Sequence, residues 1–473
     1  MPSLFDKLFK PKPAAAPPSP AAPPQFEVLY AKATTAMTRG DIAQALPLYE
    51  QAIVLNPTHA EARYKRGNAL RLLNRPKEAI ASYDEAIKLN PDYAYAYCNR
   101  GSVQHSLGLL DEAAASFDMA ISLTPSDVVA HYNRALLMQD LCRWNEAMAS
   151  YNAAIAIQPD YAQAQHNRAL LSLYLGDFAT GWPAFEWRWA SAHRLNIGDV
   201  RTFEQPLWLG EPSLAGQRLF IHSEQGLGDT IQFSRYAAQC AARGATVILE
   251  AQQPLLGLLT SLQGPTQLIA KGATPPPFDY HCPIMSLPLA CRTTLDTVPS
   301  AHSYLQADPA RVAEWKSLLG ERKRPRVGLV WSGNSNNPID GQRSIALADW
   351  LPHLPLEVDY FCLQRDLREA DRTALESSDL FSFDDERMNF QGTAALCECM
   401  DLVITVDTSL LHLSGALGVR TWLLLSYVPD WRWMREREDT PWYPSVKLYR
   451  QPTREDWNSV FTRVATDLRR ELT

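Results

Sequence analysis

The 473-residue sequence predicts a multidomain chain: an all-α repeat solenoid followed by an α/β part made of two consecutive doubly wound domains. Three observations predict this. Pro57, Pro91, Pro125 and Pro159 recur every 34 residues. Small residues and aromatics keep step with them. Beyond about residue 215 the period changes, and short apolar runs rich in β-branched residues alternate with helix-like segments. That alternation calls for a parallel sheet covered on both faces.

The repeat begins near Gln25. Ala45, Ala79, Ala113 and Ala147 are followed by Tyr49, Tyr83, Phe117 and Tyr151, then by Ala52, Ala86, Ala120 and Ala154. Small residues let paired helices approach, and the aromatics fill the space between units. The pattern resembles the tetratricopeptide repeat, a helix–turn–helix unit. A fifth, divergent unit runs from about Ala162 and ends in Trp182, Phe185, Trp187 and Trp189, an aromatic block suited to burying the last unit against the next domain. About five units therefore span 25–190. Asn99, Asn133 and Asn167 also recur every 34 residues, each in the first helix of its unit. A carboxamide donates and accepts at once, so such a ladder can read a peptide backbone. It resembles the asparagine ladder of O-linked N-acetylglucosamine transferases. The alternative is that these side chains tie neighbouring helices together.

Composition narrows the function classes. A net charge of −7 argues against a general nucleic-acid binder. The eight cysteines form no CxxC pair, and Cys397-Glu-Cys399 lacks a second ligand pair at zinc spacing, so no metal site is expected. They read as reduced thiols of a cytoplasmic protein. Residues 1–24 are expected to be disordered and Pro/Ala-rich, with no apolar run long enough for a secretory signal or a membrane span. Membrane contact is conceivable only through residues 1–10, where Phe5, Leu8 and Phe9 share one helical side with Lys7 and Lys10 nearby; the alternative is a frayed terminus.

A junction at 191–214 leads to a domain at 215–310 and a second at 311–473. The first is expected to hold strands at 218–223, 245–250, 266–270 and 279–284. A turn, Glu224-Gln-Gly-Leu-Gly-Asp229, follows the first strand and leads into a helix from about Thr230 to Ala242. Asp229 can act as a general base or simply cap that helix. The second domain is expected to hold strands at 326–331, 358–363, 380–383, 402–406 and 420–425, with a closing helix at about 455–471. After its first strand, Ser332 and Asn334 can donate hydrogen bonds to a diphosphate. Arg343 can either fork onto that diphosphate or pair with Asp340. After the strand at 402–406 come Asp407, Thr408 and Ser409 at a helix start, with His412 one turn in and Gly418 as the stop. A strand, a polar turn and a helix N-terminus make an anion site. Asp407 would repel phosphate, so it suits holding backbone N–H groups or accepting from a sugar hydroxyl. His412 can donate to a phosphate oxygen or be a satisfied helix histidine.

Ordered segments then carry a wider resemblance: EQGLGDTIQFSRY (Glu224–Tyr236), GLVWSGN (Gly328–Asn334), Arg343-Ser344, VDTSLLHLSGALG (Val406–Gly418), PDWRW (Pro429–Trp433) and WYPS (Trp442–Ser445). Residues 215–473 are similar to bacterial tetratricopeptide-linked glycosyltransferases and, more distantly, to lipopolysaccharide heptosyltransferases. The resemblance implies a GT-B fold of two Rossmann-like domains, the first receiving the acceptor and the second a nucleotide-sugar. It implies Asp229 as the base and Asp407, Thr408 and His412 as the donor-binding turn. Arg343 falls, by a looser match, at the basic phosphate-binding position. Asn389–Thr393 stands where such proteins often carry an acidic segment, and Asn336-Asn337-Pro338 replaces a His-containing loop. With no Asp-x-Asp in the chain, the expectation is a metal-independent, inverting glycosyltransferase that uses a nucleotide-sugar as substrate and needs no cofactor. Its acceptor would be a protein or a glycan, with a protein partner in the repeat groove. Two alternatives stay open: a non-catalytic scaffold with a degenerate GT-B half, and a sugar-nucleotide epimerase.

Overall fold

The structure is a computed structural model and describes residues 24–190, 201–336, 340–383 and 387–472. The expectations for residues 1–23, for the first half of the 191–214 junction and for Asn337-Pro338 lie outside the described residues. The chain forms two compact units, one up to Gln165 and one from His166, and the division falls within a helix.

The first unit holds antiparallel helix pairs: α1 (Pro24–Thr38) with α2 (Ile42–Leu55), α3 (Ala60–Leu72) with α4 (Pro76–Leu89), α5 (Ala94–Ser106) with α6 (Leu110–Leu123), and α7 (Val128–Asp140) with α8 (Trp144–Ile157). The residues of the 34-residue period are the ones the pairs bury. Ala45, Ala79, Ala113, Ala147 and the aromatics Tyr49, Tyr83, Phe117 and Tyr151 are all 0% exposed. Small residues make this possible: a Cβ on Gly101 would sit 2.9 Å from the Phe117 ring. The period extends to backbone conformation. Gly40, Asn74, Gly108, Cys142 and, beyond the unit, Gly176 all have positive φ, because the turn inside each helix pair needs one left-handed residue. A second ladder follows the same step. Arg66, Arg100 and Arg134 each donate to a buried serine of the paired helix, Ser82, Ser116 and Ser150, at 2.8, 3.1 and 2.9 Å.

The second unit opens with the rest of α9 (Ala162–Tyr174), then α10 (Phe178–Phe185) and a 3-10 turn at Glu186–Trp189. Trp182 and Phe185 are buried against Trp431, and Trp182 also against Trp442, which gives the aromatic block its job within this unit. Two parallel sheets come next. The first has the order β3-β2-β1-β4, formed by β1 (Arg218–His222), β2 (Thr246–Ala251), β3 (Pro265–Ala270) and β4 (Tyr280–Pro283). Helices α11 (Leu227–Ser234) and α12 (Tyr236–Ala242) lie between β1 and β2.

The second sheet has the order β6-β5-β7-β8-β9: β5 (Arg326–Val330), β6 (Asp359–Cys362), β7 (Leu402–Val406), β8 (Thr421–Leu425) and β9 (Val446–Arg450). Helices α13 (Pro309–Leu319), α14 (Glu369–Glu376), α15 (Phe390–Cys397), α16 (Ser409–Leu417) and α17 (Trp457–Leu472) cover or connect its strands. Every residue of β5, β7 and β8 is buried, as expected of central parallel strands. Val460, Phe461, Val464 and Leu468 of α17 join Trp331, Trp350 and Trp422 in this core.

Three expectations change. The strand at 380–383 reduces to one bridge, Phe361 to Phe381. The edge strand β9 was not expected, because VKLYR carries charges at both its partly buried steps and lacks a clean apolar run. The helix at 230–242 is two helices broken at Arg235. That buried guanidinium donates to the carbonyls of Gln232, Pro299 and Trp442.

Two glycines of the same helix pair separate packing from backbone strain. Gly101→Ala drives a methyl into the Phe117 ring and is expected to cost about 1–3 kcal/mol. Gly108→Ala meets nothing within 4 Å and should cost only the left-handed penalty of about 1–2 kcal/mol. Urea unfolding with Phe117→Leu added checks the distinction: it should recover part of the first loss and none of the second.

Candidate functional site

In a parallel sheet whose strand order reverses, ligands meet the carboxyl ends of the strands beside the reversal. The first sheet reverses at β1, between β2 and β4, and the second at β5, between β6 and β7. The turns at Glu224–Asp229, Ser332–Asn334 and Asp407–Ser409 follow β1, β5 and β7, so all three lie at reversals.

The two walls touch through helix N-termini. Helix α11 packs on α16, and Gly228 is the reason it can: a Cβ there would lie 2.7 Å from Cδ2 of His412 and 3.4 Å from Cα of Ser409. Asp229 is the third residue of α11 rather than its cap. Its Oδ2 accepts from the Gly226 N–H at 2.9 Å, which closes the turn, and its Oδ1 accepts from Nη2 of Arg432. Burial raises the Asp229 carboxyl above its ordinary range, against the pull of Arg432 and the Gly226 N–H.

On the other wall Thr408 caps α16, its Oγ1 accepting from the Leu410 N–H at 3.3 Å, and Ser409 is the half-buried first residue of the helix. Asp407 neither caps nor faces solvent freely. Its Oδ2 accepts from Nε1 of Trp433 at 2.8 Å, and its carbonyl accepts from Nη1 of Arg343 at 2.6 Å. Burial, then the charge of Asp430, pushes the Asp407 carboxyl up to about 6. His412 is buried and paired through Nδ1 with the Tyr443 hydroxyl at 2.8 Å, while its ring stacks on Trp433. When Tyr443 donates to Nδ1, the ring proton sits on Nε2, on the side of Gly228. Burial, with Arg432, Arg235 and Arg343 nearby, keeps this ring neutral.

In the turn after β5, Arg343 takes the Asp340 pairing and adds a contact to the turn after β7. Its Nε donates to Asp340 at 3.3 Å while Nη1 reaches the Asp407 carbonyl. Asp340 also pairs with Arg368. Gly333 leaves room for the Arg343 guanidinium, whose Nη2 would lie 2.5 Å from a Cβ there. Asn334 is exposed, and its Oδ1 accepts from the Asn336 N–H within the turn. Ser332 is 2% exposed and its hydroxyl has no partner among the described residues, whereas its backbone N–H donates to Gln364. Among the described residues no cluster of three or more His, Cys, Asp or Glu side chains is close enough to hold a metal ion.

In the repeats, Asn99 donates to Asn68 Oδ1 at 2.8 Å and to Tyr64 Oη at 3.0 Å, both on the preceding unit. Asn133 donates to Ser102 at 3.1 Å in the same register, 31 residues back. The amide donors of both therefore bind neighbouring helices. Asn167 lies on α9, in the second unit. Arg432, Trp433 and Tyr443 escaped the reading of single residues, although all three stand in segments that carry the wider resemblance. Their contacts cross up to 203 residues, and no local spacing signals them.

Residues 30–94 and 73–128 match the family model described as "Tetratricopeptide repeat". Residues 30–128 are tetratricopeptide repeats. A curated relative, Protein FlbA of Caulobacter vibrioides, is 29% identical over 324 residues, an alignment covering 63% of this chain and 53% of FlbA. The chain thus spans about half the length of that relative. Among solved structures, MamA (residues 41 to the end) from Desulfovibrio magneticus RS-1 is 17% identical with a TM-score of 0.32, covering 36% of this chain and 94% of MamA. YrrB, titled a TPR protein with an unusual peptide-binding site, is 19% identical with a TM-score of 0.31, covering 35% and 91%. No helix among the described residues is long and apolar enough to cross a membrane.

The raised Asp407 carboxyl predicts a direction in stability. Between about pH 4 and 6 the folded chain binds the proton that the unfolded chain has lost, so this residue's contribution falls as pH rises through that window. Asp407→Asn keeps an acceptor for Trp433 without the charge. It should stabilise the protein by about 1–3 kcal/mol above pH 6 and leave it unchanged near pH 4. Thermal unfolding of both proteins from pH 4 to 8 measures this.

Proposed function

We propose that the α/β part is a GT-B glycosyltransferase that moves a sugar from a nucleotide-sugar to an acceptor hydroxyl, with the tetratricopeptide repeats presenting a protein or glycan acceptor. One observation carries this reading: the polar turns of two parallel sheets, each at a strand-order reversal, face each other across α11 and α16. Asp229 on the first wall is the base. On the second wall Thr408, Ser409 and the α16 N-terminus, with Arg343, Ser332, Asn334 and His412, receive the diphosphate and sugar. The positive end of the helix and the arginine supply the charge stabilisation that a metal would otherwise give, as displacement at the anomeric carbon releases a nucleoside diphosphate. The ordered motifs from Glu224 to Ser445 favour the same reading.

A non-catalytic scaffold is favoured by a different observation. Asp229 and Arg343 already have internal partners, Arg432 for the first and Asp340 and the Asp407 carbonyl for the second. A thermal-shift screen over nucleotide-sugars separates the two, because a ligand that binds only the folded state raises its melting temperature. Glycosyl transfer predicts that at least one nucleotide-sugar raises Tm and is consumed. Asp229→Asn should then cut turnover by roughly 10²–10⁴-fold while leaving that Tm shift in place. No shift with any donor supports the scaffold.

A further inference from the structure

The segment after β8 touches every wall of this site. Asp430–Trp433 makes one 3-10 turn whose three tryptophan and arginine side chains are all buried, and each goes to a different neighbour. Trp431 packs on Trp182 of α10, at 5.4 Å between ring centroids. Arg432 goes to α11, donating to Asp229 Oδ1 and, through Nε, to Gln232 Oε1 at 2.6 Å. Trp433 goes to the turn after β7, donating to Asp407 Oδ2 at 2.8 Å and stacking on His412. The segment ends at Met434, which has a φ of 51°, and Arg450 anchors the Trp433 carbonyl. Adjacent residues of one short turn therefore hold the proposed base and the proposed donor turn.

We propose that Asp430–Trp433 is a strap by which a bound nucleoside diphosphate takes Arg432 away from Asp229, so that the base is released only when the donor side is filled. Arg432 is then a positioning residue. The inference rests on the glycosyltransferase reading above. Its physical basis is a contest for one guanidinium. Arg432 already answers three carboxylates: Asp229, Asp430 at 2.9 Å, and the field of Asp407. A diphosphate at the start of α16 adds a stronger anion beside Trp433 and Asp407, and a fork-shaped guanidinium suits phosphate oxygens. With its cation withdrawn, Asp229 stays largely desolvated and keeps only backbone N–H donors, from Gly226 and its own residue. Such a carboxyl holds a proton more tightly and is a better base. The other charged or titratable groups facing it are Asp430 of the strap and, on α16, His412 against the adjoining Gly228.

The test is proton uptake on binding. ADP, UDP, GDP and CDP are titrated calorimetrically into the full chain near pH 6.5 in buffers of different ionisation enthalpy. Wild type and Asp229→Asn, which keeps an acceptor for the Gly226 N–H, are compared. The strap predicts a wild-type uptake exceeding that of Asp229→Asn by a sizeable fraction of one proton, with Kd changed less than tenfold. Arg432→Lys, a cation without the fork, should reduce the excess. Binding with equal uptake in wild type and Asp229→Asn overturns the strap and leaves the enzyme reading standing. Absence of binding by all four nucleotides, together with no Tm shift from any nucleotide-sugar, overturns both.

Discussion

The guanidinium of Arg188 is the constraint on which the α/β unit depends. It is 0% exposed, and an unpaired charge at that depth costs several kcal/mol. Its partners come from three parts of the unit. Glu224, in the turn after β1, takes two of its nitrogens at 2.8 and 3.1 Å. Glu186 takes a third at 2.6 Å, and Ser286, beyond β4, accepts at 2.7 Å. The rings of Phe185 and Trp189 lie 4.6 and 4.5 Å from it. Glu224 in turn accepts from the Met285 N–H at 2.9 Å. The geometry around one buried charge thus fixes where the first polar turn of the site begins, five residues before Asp229. Arg432 repeats the device further along, bonding Asp229 and Gln232 of α11. One desolvated arginine thus holds the turn before the proposed base and another holds its helix.

Legibility in the sequence followed the range of the forces involved. The repeats were readable because the same steric problem recurs every 34 residues and admits few residue types. Alanine at 45, 79, 113 and 147 and an aromatic four residues later are solutions to helix approach. The left-handed turn within each pair was only partly visible. Glycine marks it at 40, 108 and 176, but Asn74 and Cys142 adopt it too, and Cys142 gives no local sign of doing so. Buried strands such as 402–406 announced themselves by apolar runs, whereas β9, with Lys447 and Arg450 partly buried at the sheet edge, did not. In the site, the turns were legible from capping chemistry, and Thr408 does cap α16. The partners inside them were not, because pairs such as Arg432 with Asp229 and Trp433 with Asp407 are set by how two sheets meet.

Those partners redistribute the roles within the site. Asp407 and Asp229 look alike in sequence, each a carboxylate in a polar turn after a strand. The structure gives them opposite company. Asp407 accepts from a neutral indole and feels Asp430, and burial leaves it prone to hold a proton up to about 6. Asp229 accepts from a guanidinium and a backbone N–H, both of which favour its charged form. A carboxylate whose one side-chain donor is neutral, with its arginines acting at longer range, makes a poor neighbour for phosphate unless protonated. One held by a movable cation can change its basicity when that cation moves.

The charge count in the cleft sharpens this point. Asp229, Asp407 and Asp430 surround Arg432, Arg343 spends one nitrogen on a carbonyl and another on Asp340, and Arg235 spends its own on three carbonyls. The nearby guanidiniums are thus already engaged. On the proposed reading the contacts open to a diphosphate are the positive end of α16, the Arg343 Nη2 over Gly333, and whatever share of Arg432 it can win. Neutral His412 adds no charge, and when Tyr443 donates to its Nδ1 it offers an Nε2 donor. On the proposed reading, anion binding here would go with either protonation of Asp407 or movement of Arg432. The same short turn touches both groups, Arg432 reaching Asp229 and Trp433 reaching Asp407, so the proposed electrostatic condition on filling the cleft would act through it.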